Sequence, residues 1–583
     1  MTAFGKKSNY GIVDFDDILE EVGSFGKYQK LLIFLVFLPA LLPDGVLVLN
    51  AVFMAATPAD HWCQLPMENV TDKESVTNLL PRDLRGGVLT YSKCTMFNAN
   101  YSSTDYQSIM ESANNKSSTK NAQASCRYGY EYDHSVYENT IVTEFDLVCD
   151  KSLYAAASFT YFTLGGLFGP LFWGLLADRF GRRFGFFACV SFQSVFSIAT
   201  PFAPNYVWYC VFRFCVGMTT SASYSLPMLM CVEISGPRAR ALIAVLCSTA
   251  YTCGVLLLGL LAYFVRSWRE LGMYSSIPLA VIFVILYFFF PESPRWLLAH
   301  GRYDQLEVYL REVAKVNGKK LDAELDTNLS VVLQKITPEE STKNHTILDL
   351  FKFPNMRKKT AILVFVNFCN KGVFMGLNYY APGFGMNPHL NFFLASVIEL
   401  PPYLFAEFIC DRIGRRMSLF LGMLLGSLVG LITAAVPGGS FTLILSLSLV
   451  AKFCITFTYL VGELMEDEIF PTVIRGEGHS ITSAVSSLAG CVTPFVVQLG
   501  HSYLILPLVV YGCCCFSAAF IALFLPETAN EDLPQTLEDG ERFGKDMGCK
   551  DIFRFYVPKP KRTSERHQAV VASEHVELTN GFS

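Results

Sequence analysis

The chain has 583 residues, 52% of them hydrophobic and 17% charged, with a formal net charge of −5. A soluble domain of average composition is about 25% charged, so a charge-rich soluble protein is excluded, and without a basic domain or tail nucleic acid is not a partner. The nine histidines are scattered, and no P-loop, H-E-x-x-H or G-x-S-x-G string occurs, so no enzyme, metal site or cofactor is expected and ATP-driven pumping has no support.

In chain order, residues 1–27 form a polar, acidic N-terminal segment. Its opening, MTAFGKKSNYGIVDFDDILEEVG, is not the basic, apolar pattern of a cleavable leader, so the first apolar run is expected to remain as a membrane helix. Twelve runs of about the length that crosses a bilayer as a helix follow. They fall at about 28–54, 154–176, 184–203, 206–231, 239–265, 272–290, 359–380, 391–410, 416–436, 440–465, 477–498 and 502–525. The eleventh is rich in Ser and Gly and is kept because the repeat described next requires it. The expected fold class is an all-α membrane protein with twelve transmembrane helices in two six-helix repeats. The N-terminal half covers 28–290 with a large loop at 55–153, a cytoplasmic joint covers 291–358, the C-terminal half covers 359–528, and the polar tail 529–583 is expected to be disordered.

One charged string occurs twice, GLLADRFGRR at 174–183 and EFICDRIGRR at 407–416. Glu233 and Arg240 are seven apart, as are Glu468 and Arg475. A PE[ST] tripeptide closes each half, at Pro291-Glu292-Ser293 and Pro526-Glu527-Thr528, and 59 residues separate Glu233 from Glu292 and Glu468 from Glu527. A shared spacing over several elements marks structural repeats. Duplicated membrane halves that rock about a central site are the build of secondary transporters.

Loop charge sets orientation, because cytoplasmic loops are enriched in Lys and Arg. Arg179, Arg182, Arg183, Arg238, Arg240, Lys315, Lys319, Lys320, Arg357, Lys358, Lys359, Arg412, Arg415 and Arg416 all fall on one side with both termini. Arg266 and Arg269 are the main exceptions. Both termini are therefore expected in the cytoplasm, and 55–153 outside. That segment carries sequons at Asn69, Asn100 and Asn115, expected to be glycosylated, whereas Asn328 and Asn344 lie on the inner side and should stay bare. It also holds Cys63, Cys94, Cys126 and Cys149; an even count in an oxidising compartment predicts two disulfides, with three pairings open. The other fourteen cysteines read as small apolar filler. In the joint, the spacing of Leu306, Tyr309, Leu310 and Val313 predicts an amphipathic helix over 303–318 stopped by Gly318.

These strings resemble the major facilitator superfamily, and within it the organic cation/carnitine transporter family. The two DRxGRR copies are similar to the superfamily's loop 2–3 signature and its loop 8–9 partner. The branch is carried by VFMAATPADHWC (52–63), TEFDLVC (143–149), PESPRWLLAHGR (291–302), LNFFLASVIELPPY (390–403) and EIFPTVIRG (468–476), and PQTLEDGERFGK (534–545) is similar to invertebrate organic cation transporter-like members. The resemblance covers about 10–545. It implies the major facilitator fold, plasma-membrane location and alternating access, with a large outer loop after the first helix.

A carrier of this kind needs a cytoplasmic lock that closes and reopens, and charge pairs near water break at modest cost. The lock is assigned to Asp178, Arg179, Arg182, Arg183, Glu233 and Arg240 in the first half and Asp411, Arg412, Arg415, Glu468 and Arg475 in the second. Asp178 is expected to face a helix N-terminus of the other half, where the dipole favours an anion, Asp411 does the mirror job, and the Glu–Arg pairs are their partners. The competing reading makes DRxGRR a topogenic signal. Glu407 belongs with the lock.

A charge inside a span needs a reason, since translocon scales put its cost at about 2.5–3.5 kcal/mol. Asp44, Lys371, Glu399, Lys452 and Glu463 are such charges. Glu399 matches a family motif on the translocation path beside Pro401 and Pro402 and is assigned to the cationic group of the substrate; its alternative is a structural pair with Lys452 or Lys371. Asp44 meets a cation or neutralises Lys371. Lys452 matches a Lys that many family members carry, so the resemblance implies an ion pair, with substrate contact as its alternative; Lys371 is likewise a candidate for the substrate site. Rings commonly hold amines against their faces, so Tyr224, Tyr251, Phe374, Tyr379 and Tyr459 are cavity candidates against the alternative of packing. Two positions depart from the family: Ser487 stands where anion-selective and carnitine-type members carry Arg, and Gly490 where cation members carry Asp. Leu460 replaces a Glu of some members, with Glu463 one turn on.

The function expected is a uniporter or a sodium- or proton-coupled carrier of small organic cations or zwitterions. The alternatives are an organic anion exchanger, disfavoured by Ser487, and a non-transporting glycoprotein receptor or scaffold on the same fold.

Overall fold

The computed structural model describes residues 15–66, 73–85, 88–98, 123–236, 239–319, 329, 332–333, 348–383, 387–436, 441–502, 505–529, 531, 534 and 536–545. The sequons Asn69, Asn100 and Asn115 lie outside these residues. Helices stand at every position where a span is expected. After a short α1 (Phe15–Val22) come α2 (Lys27–Met54), α3 (Ser152–Phe180), α4 (Arg182–Ala199), α5 (Tyr206–Glu233), α6 (Arg240–Phe264) and α7 (Trp268–Tyr287). The joint holds α8 (Tyr303–Asn317). The second set is α9 (Pro354–Tyr380), α10 (Pro388–Val397) and α11 (Leu400–Ile413), α12 (Arg415–Ala435), α13 (Phe441–Ile469), α14 (Arg475–Ser502) and α15 (Leu506–Ala522), followed by α16 (Leu537–Arg542).

Among the described residues nine helices are long and apolar enough to cross a membrane. The other three positions have local reasons to fall short. α5 carries Arg213 and the polar stretch Thr219-Thr220-Ser221-Ala222-Ser223. α15 has 17 residues. The expected eighth run, 391–410, is two helices rather than one. Pro401 and Pro402 have no N–H to donate and disfavour helix at the residue before them, so the chain breaks at Ile398 and Glu399, which puts Glu399 at a helix end.

Two corrections concern the parts outside the spans. The N-terminal segment is not only a polar lead: Phe15, Ile18, Leu19 and Val22 of α1 are buried against Leu306, Leu310 and Val313 of α8. α8 itself matches the expected helix, ending at Gly318 in the left-handed conformation (φ 69°). The tail is ordered over Thr536–Lys545. There the Glu541 carboxylate accepts the N–H groups of Asn355 and Met356, and buried Lys359 donates to the Gly540 and Phe543 carbonyls. Glu541 therefore satisfies first-turn donors of α9 that have no partner within the helix.

The segment between α2 and α3 forms three two-stranded antiparallel ribbons: β1 (His61–Cys63) with β6 (Tyr130–Tyr132), β2 (Arg82–Arg85) with β3 (Val88–Tyr91), and β4 (Thr95–Phe97) with β5 (Gln123–Ser125). Of the three open pairings the structure has Cys63–Cys126 and Cys94–Cys149. The segment is anchored to the start of α7. Trp268 donates from its backbone to Asn139 (3.0 Å) and from Nε1 to Glu144 (2.8 Å), and Arg269 forms an ion pair with Glu144. It therefore belongs mechanically to the first half. A separate apolar cluster fills each half.

Candidate functional site

The repeated landmarks converge on one constellation built twice. In the first half Gly181 turns the chain between α3 and α4 at φ 113°, and a side chain there would meet Glu292 Oε2 at 2.4 Å. That bare turn lets Glu292 accept the N–H groups of Arg182 (2.8 Å) and Arg183 (3.2 Å), the first two residues of α4. In the second half Gly414 (φ 91°) makes the same turn, and Glu527 accepts from Arg415 (2.8 Å) and Arg416 (3.3 Å) at the start of α12. The next PE[ST] residue completes each set: Ser293 donates to Glu233, and Thr528 to Glu468.

This corrects the expected partners in the lock. A carboxylate does sit on a helix N-terminus, as the dipole favours, but it is Glu292 or Glu527, and the helix belongs to the same half. Asp178 and Asp411 instead pair with Arg182 (2.5 Å) and Arg415 (3.1 Å) one turn on in their own copies, with side chains 68% and 54% exposed. Glu233 binds Ser293 rather than Arg240. Glu468 binds Thr528 and faces Arg415 at 3.5 Å rather than Arg475. Arg240 and Arg475 open α6 and α14. Arg179 and Arg412 lie over Phe180 and Phe408, and Arg183 donates to the Tyr287 carbonyl (2.8 Å).

Inside the helices the charges fall in three places. Asp44 in α2 is 4% exposed and accepts from Ser223 of α5 at 2.8 Å. Glu399 and Lys452, 1% and 2% exposed, form an ion pair at 2.8 Å that is not aligned as a hydrogen bond. Lys452 donates to Asn378, and Thr252 of the first half reaches Glu399 at 3.3 Å. Of the alternatives for Glu399, the structure therefore contains the pair with Lys452. Lys371 is not brought to Asp44 or Glu399; it donates to Ser487 at 3.3 Å, so the position that departs from the family is a neutral partner for that cation.

The rings also sort. Phe374 and Tyr459 stack at 5.3 Å, and Lys452 lies 5.7 Å over Phe374. Tyr224 and Tyr251 meet edge to face at 6.0 Å, and Tyr379 packs on Phe159 at 4.7 Å. Tyr224, Tyr251, Tyr459, Lys371 and Glu463 are only half-buried, so each keeps part of its surface free of packing. The end nearest the ribbons is shut. Phe392 of α10 is fully buried in the cluster that joins α2, α5, α6 and the ribbon segment, and His389 stacks on Phe53 at 5.4 Å.

Two signals in the sequence went unused. The PE[ST] repeat marked Glu292 and Glu527, which hold the signature turns. Arg213 lies inside the fourth apolar run, where a charge calls for a reason as much as Asp44 does. It is 2% exposed and donates to Asn50 at 2.8 Å.

The family description "Sugar (and other) transporter" matches residues 86–539. The chain belongs to this family, within the major facilitator superfamily. It is 36% identical over 561 residues to the carcinine transporter of Drosophila melanogaster, covering 95% of this chain and 82% of that one. It is 38% identical to the beta-alanine transporter of the same organism (91% and 89% covered) and 31% identical to the organic cation/carnitine transporter 2 of Homo sapiens (90% and 93%). Among solved structures, the inward-open xylose transporter XylE from E. coli superposes with a TM-score of 0.56 at 19% identity, over 88% of this chain and 99% of that one. The major facilitator fold is thereby established, and the organic cation/carnitine branch is the one its sequence relatives occupy.

Proposed function

We propose that the protein is a plasma-membrane secondary transporter that carries small organic cations or zwitterions by alternating access. The observation that carries this reading is Asp44. It is a carboxyl buried between α2 and α5 whose bonded partner is a serine hydroxyl, with no basic side chain in ion-pair distance among the described residues. A buried carboxylate without a cation is costly, and the ammonium of a substrate supplies the missing charge. The half-buried rings of Tyr224, Tyr251 and Tyr459 suit the rest of such a ligand. The named substrates of the relatives, carcinine, beta-alanine and carnitine, are small amines or zwitterions and support the same class.

In this reading all twelve helical positions span the membrane, both termini are cytoplasmic, and 55–153 is an outer loop with glycans at Asn69, Asn100 and Asn115. The two signature constellations form the cytoplasmic lock, and Glu399 with Lys452 is an internal pair at the break between α10 and α11. The lipid bilayer and a small-molecule substrate are the partners. Proton or sodium coupling is open to the same experiment: uptake of labelled amines by cells expressing the wild type and Asp44→Asn, with and without sodium, at two pH values. Saturable wild-type uptake that Asp44→Asn weakens at equal surface level supports the proposal; a surface-delivered wild type that takes up none of the amines refutes it.

A further inference from the structure

Arg213 is the buried charge that the transport scheme above leaves without a task. Its guanidinium carries five N–H donors and cannot be neutralised by losing a proton. Nη1 donates to Asn50 Oδ1 at 2.8 Å, and the Phe162 ring lies 4.4 Å from the guanidinium carbon. Nε and Nη2 are buried and have no hydrogen-bond partner. The Tyr209 hydroxyl, one turn earlier on α5, is likewise buried without a partner. Tyr379 and Cys210 are close enough to act on its charge. None of these groups is a carboxylate. Donors left open on a fully buried fork are rare and costly, and the group that fits a planar fork best is another planar one, a carboxylate bound through two parallel hydrogen bonds.

Asp44 lies on the helix that orients Arg213. Asp44 and Asn50 lie on α2 six residues apart, which is about 9 Å of helical rise. Both bond to α5, Asp44 through Ser223 and Asn50 through Arg213, so both face the same neighbour. The carboxyl and the guanidinium are thus presented by the same pair of helices.

We infer that Arg213, oriented by Asn50, forms a carboxylate subsite, so that a zwitterion is held with its ammonium toward Asp44 and its carboxylate toward Arg213. The inference rests on the transporter reading and narrows it from small cations or zwitterions to amines that also carry a carboxylate. Asn50 is a positioning residue. It fixes one edge of the guanidinium without neutralising it, which keeps the charge available to a ligand.

The probes are labelled β-alanine and β-alaninamide, which share the amine and chain length and differ in whether the far end is a carboxylate. Uptake of each is measured at equal surface level for the wild type, Arg213→Lys, Arg213→Gln and Asn50→Asp. The readout is the ratio of zwitterion to amide uptake. It should fall roughly tenfold or more in Arg213→Gln, the scale of a lost charge-assisted contact, and less in Arg213→Lys, which keeps the charge but not the fork. Asn50→Asp should lower the ratio as well, because it gives Arg213 an internal carboxylate that competes with the ligand. It decides the matter if Arg213→Gln does not reach the surface. An unchanged ratio with both probes falling together makes Arg213 structural and overturns the inference. So does wild-type uptake of both probes that requires chloride and loses that requirement in the Arg213 variants, since the occupant is then an inorganic anion. A wild type that carries the amide but not β-alanine also overturns it. One that carries no amine at all contradicts the transporter proposal instead.

Discussion

Replacing Glu399 with Gln would leave the Lys452 ammonium, 2% exposed, with no counter-charge. Removing one member of a buried pair costs about 3–5 kcal/mol, because the other charge stays desolvated. Asn378 still accepts from Lys452 and the Phe374 ring still faces it, so about 3 kcal/mol is expected, close to two decades in the ratio of folded to unfolded protein. Lys452→Gln should cost a similar amount by stranding Glu399, to which Thr252 alone would then donate. The double variant Glu399→Gln/Lys452→Gln removes both charges and keeps both shapes, so it should recover most of the loss. The assay is thermal stability of the purified protein and surface level in cells for the four members of this cycle, which isolates the coupling between the two residues. Additive losses would refute the pairing. Uptake then separates the roles: a double variant that reaches the surface and carries amines with ordinary affinity makes Glu399 structural, and a selective loss of cation affinity makes it a ligand of substrate.

The glycine in the first signature gives a sharper contrast. Gly181→Ala must adopt a positive φ and crowd Glu292 at 2.4 Å, so it should lose more than about 1 kcal/mol and slow transport, whereas Gly174→Ala, with open space at its Cβ, should be tolerated or slightly stabilising; melting curves and initial uptake rates of the two test this. Burial works to raise the Glu144 carboxyl, but hydrogen bonds from Arg269 and Trp268 outweigh it and hold the group below its usual 4.5. Its stabilising effect is therefore present above that value and lost as pH falls through the lowered one, so a melting-temperature profile taken downward from pH 5 should be flatter in Glu144→Gln than in the wild type, and identical profiles would remove Glu144 from the anchor. Glu541→Ala frees the first N–H groups of α9 and should cost about 1–2 kcal/mol of capping and charge–dipole stabilisation, less than deleting 536–545, which also strips buried Lys359 of its carbonyl partners; an unaltered melting temperature would mean the tail does not hold α9.

Helix positions were legible because bilayer thickness fixes a run length and the repeat fixes its spacing. The break at Glu399 was signalled by Pro401 and Pro402, although the run reads as continuous by hydropathy alone. Partners were harder to read than positions. Asp178 and Glu292 are 114 residues apart in sequence, and composition cannot say which of the two acids reaches the N-terminus of α4; the turn at Gly181 decides, by leaving room for Glu292 alone. The repeated PE[ST] did carry that information, since a motif conserved between two halves of one chain at equal spacing asks for equal work. Lys371 and Lys452 looked interchangeable as partners for Glu399, and only the packing of α11 against α13 selects Lys452. The docked tail is hard to read because α16 has a single apolar residue, Leu537, packed on the second-half cluster, and is otherwise held by specific bonds to α9.

Two halves that alternate access to a site for small amines between them must couple inward and outward movement of substrate. Counterflow in proteoliposomes tests it most directly, with purified protein, unlabelled β-alanine or another accepted amine inside and labelled amine outside. The account predicts a transient accumulation of label above its equilibrium level that depends on the internal amine and is slowed by Gly181→Ala. Simple equilibration of label at a rate indifferent to the internal amine would contradict it.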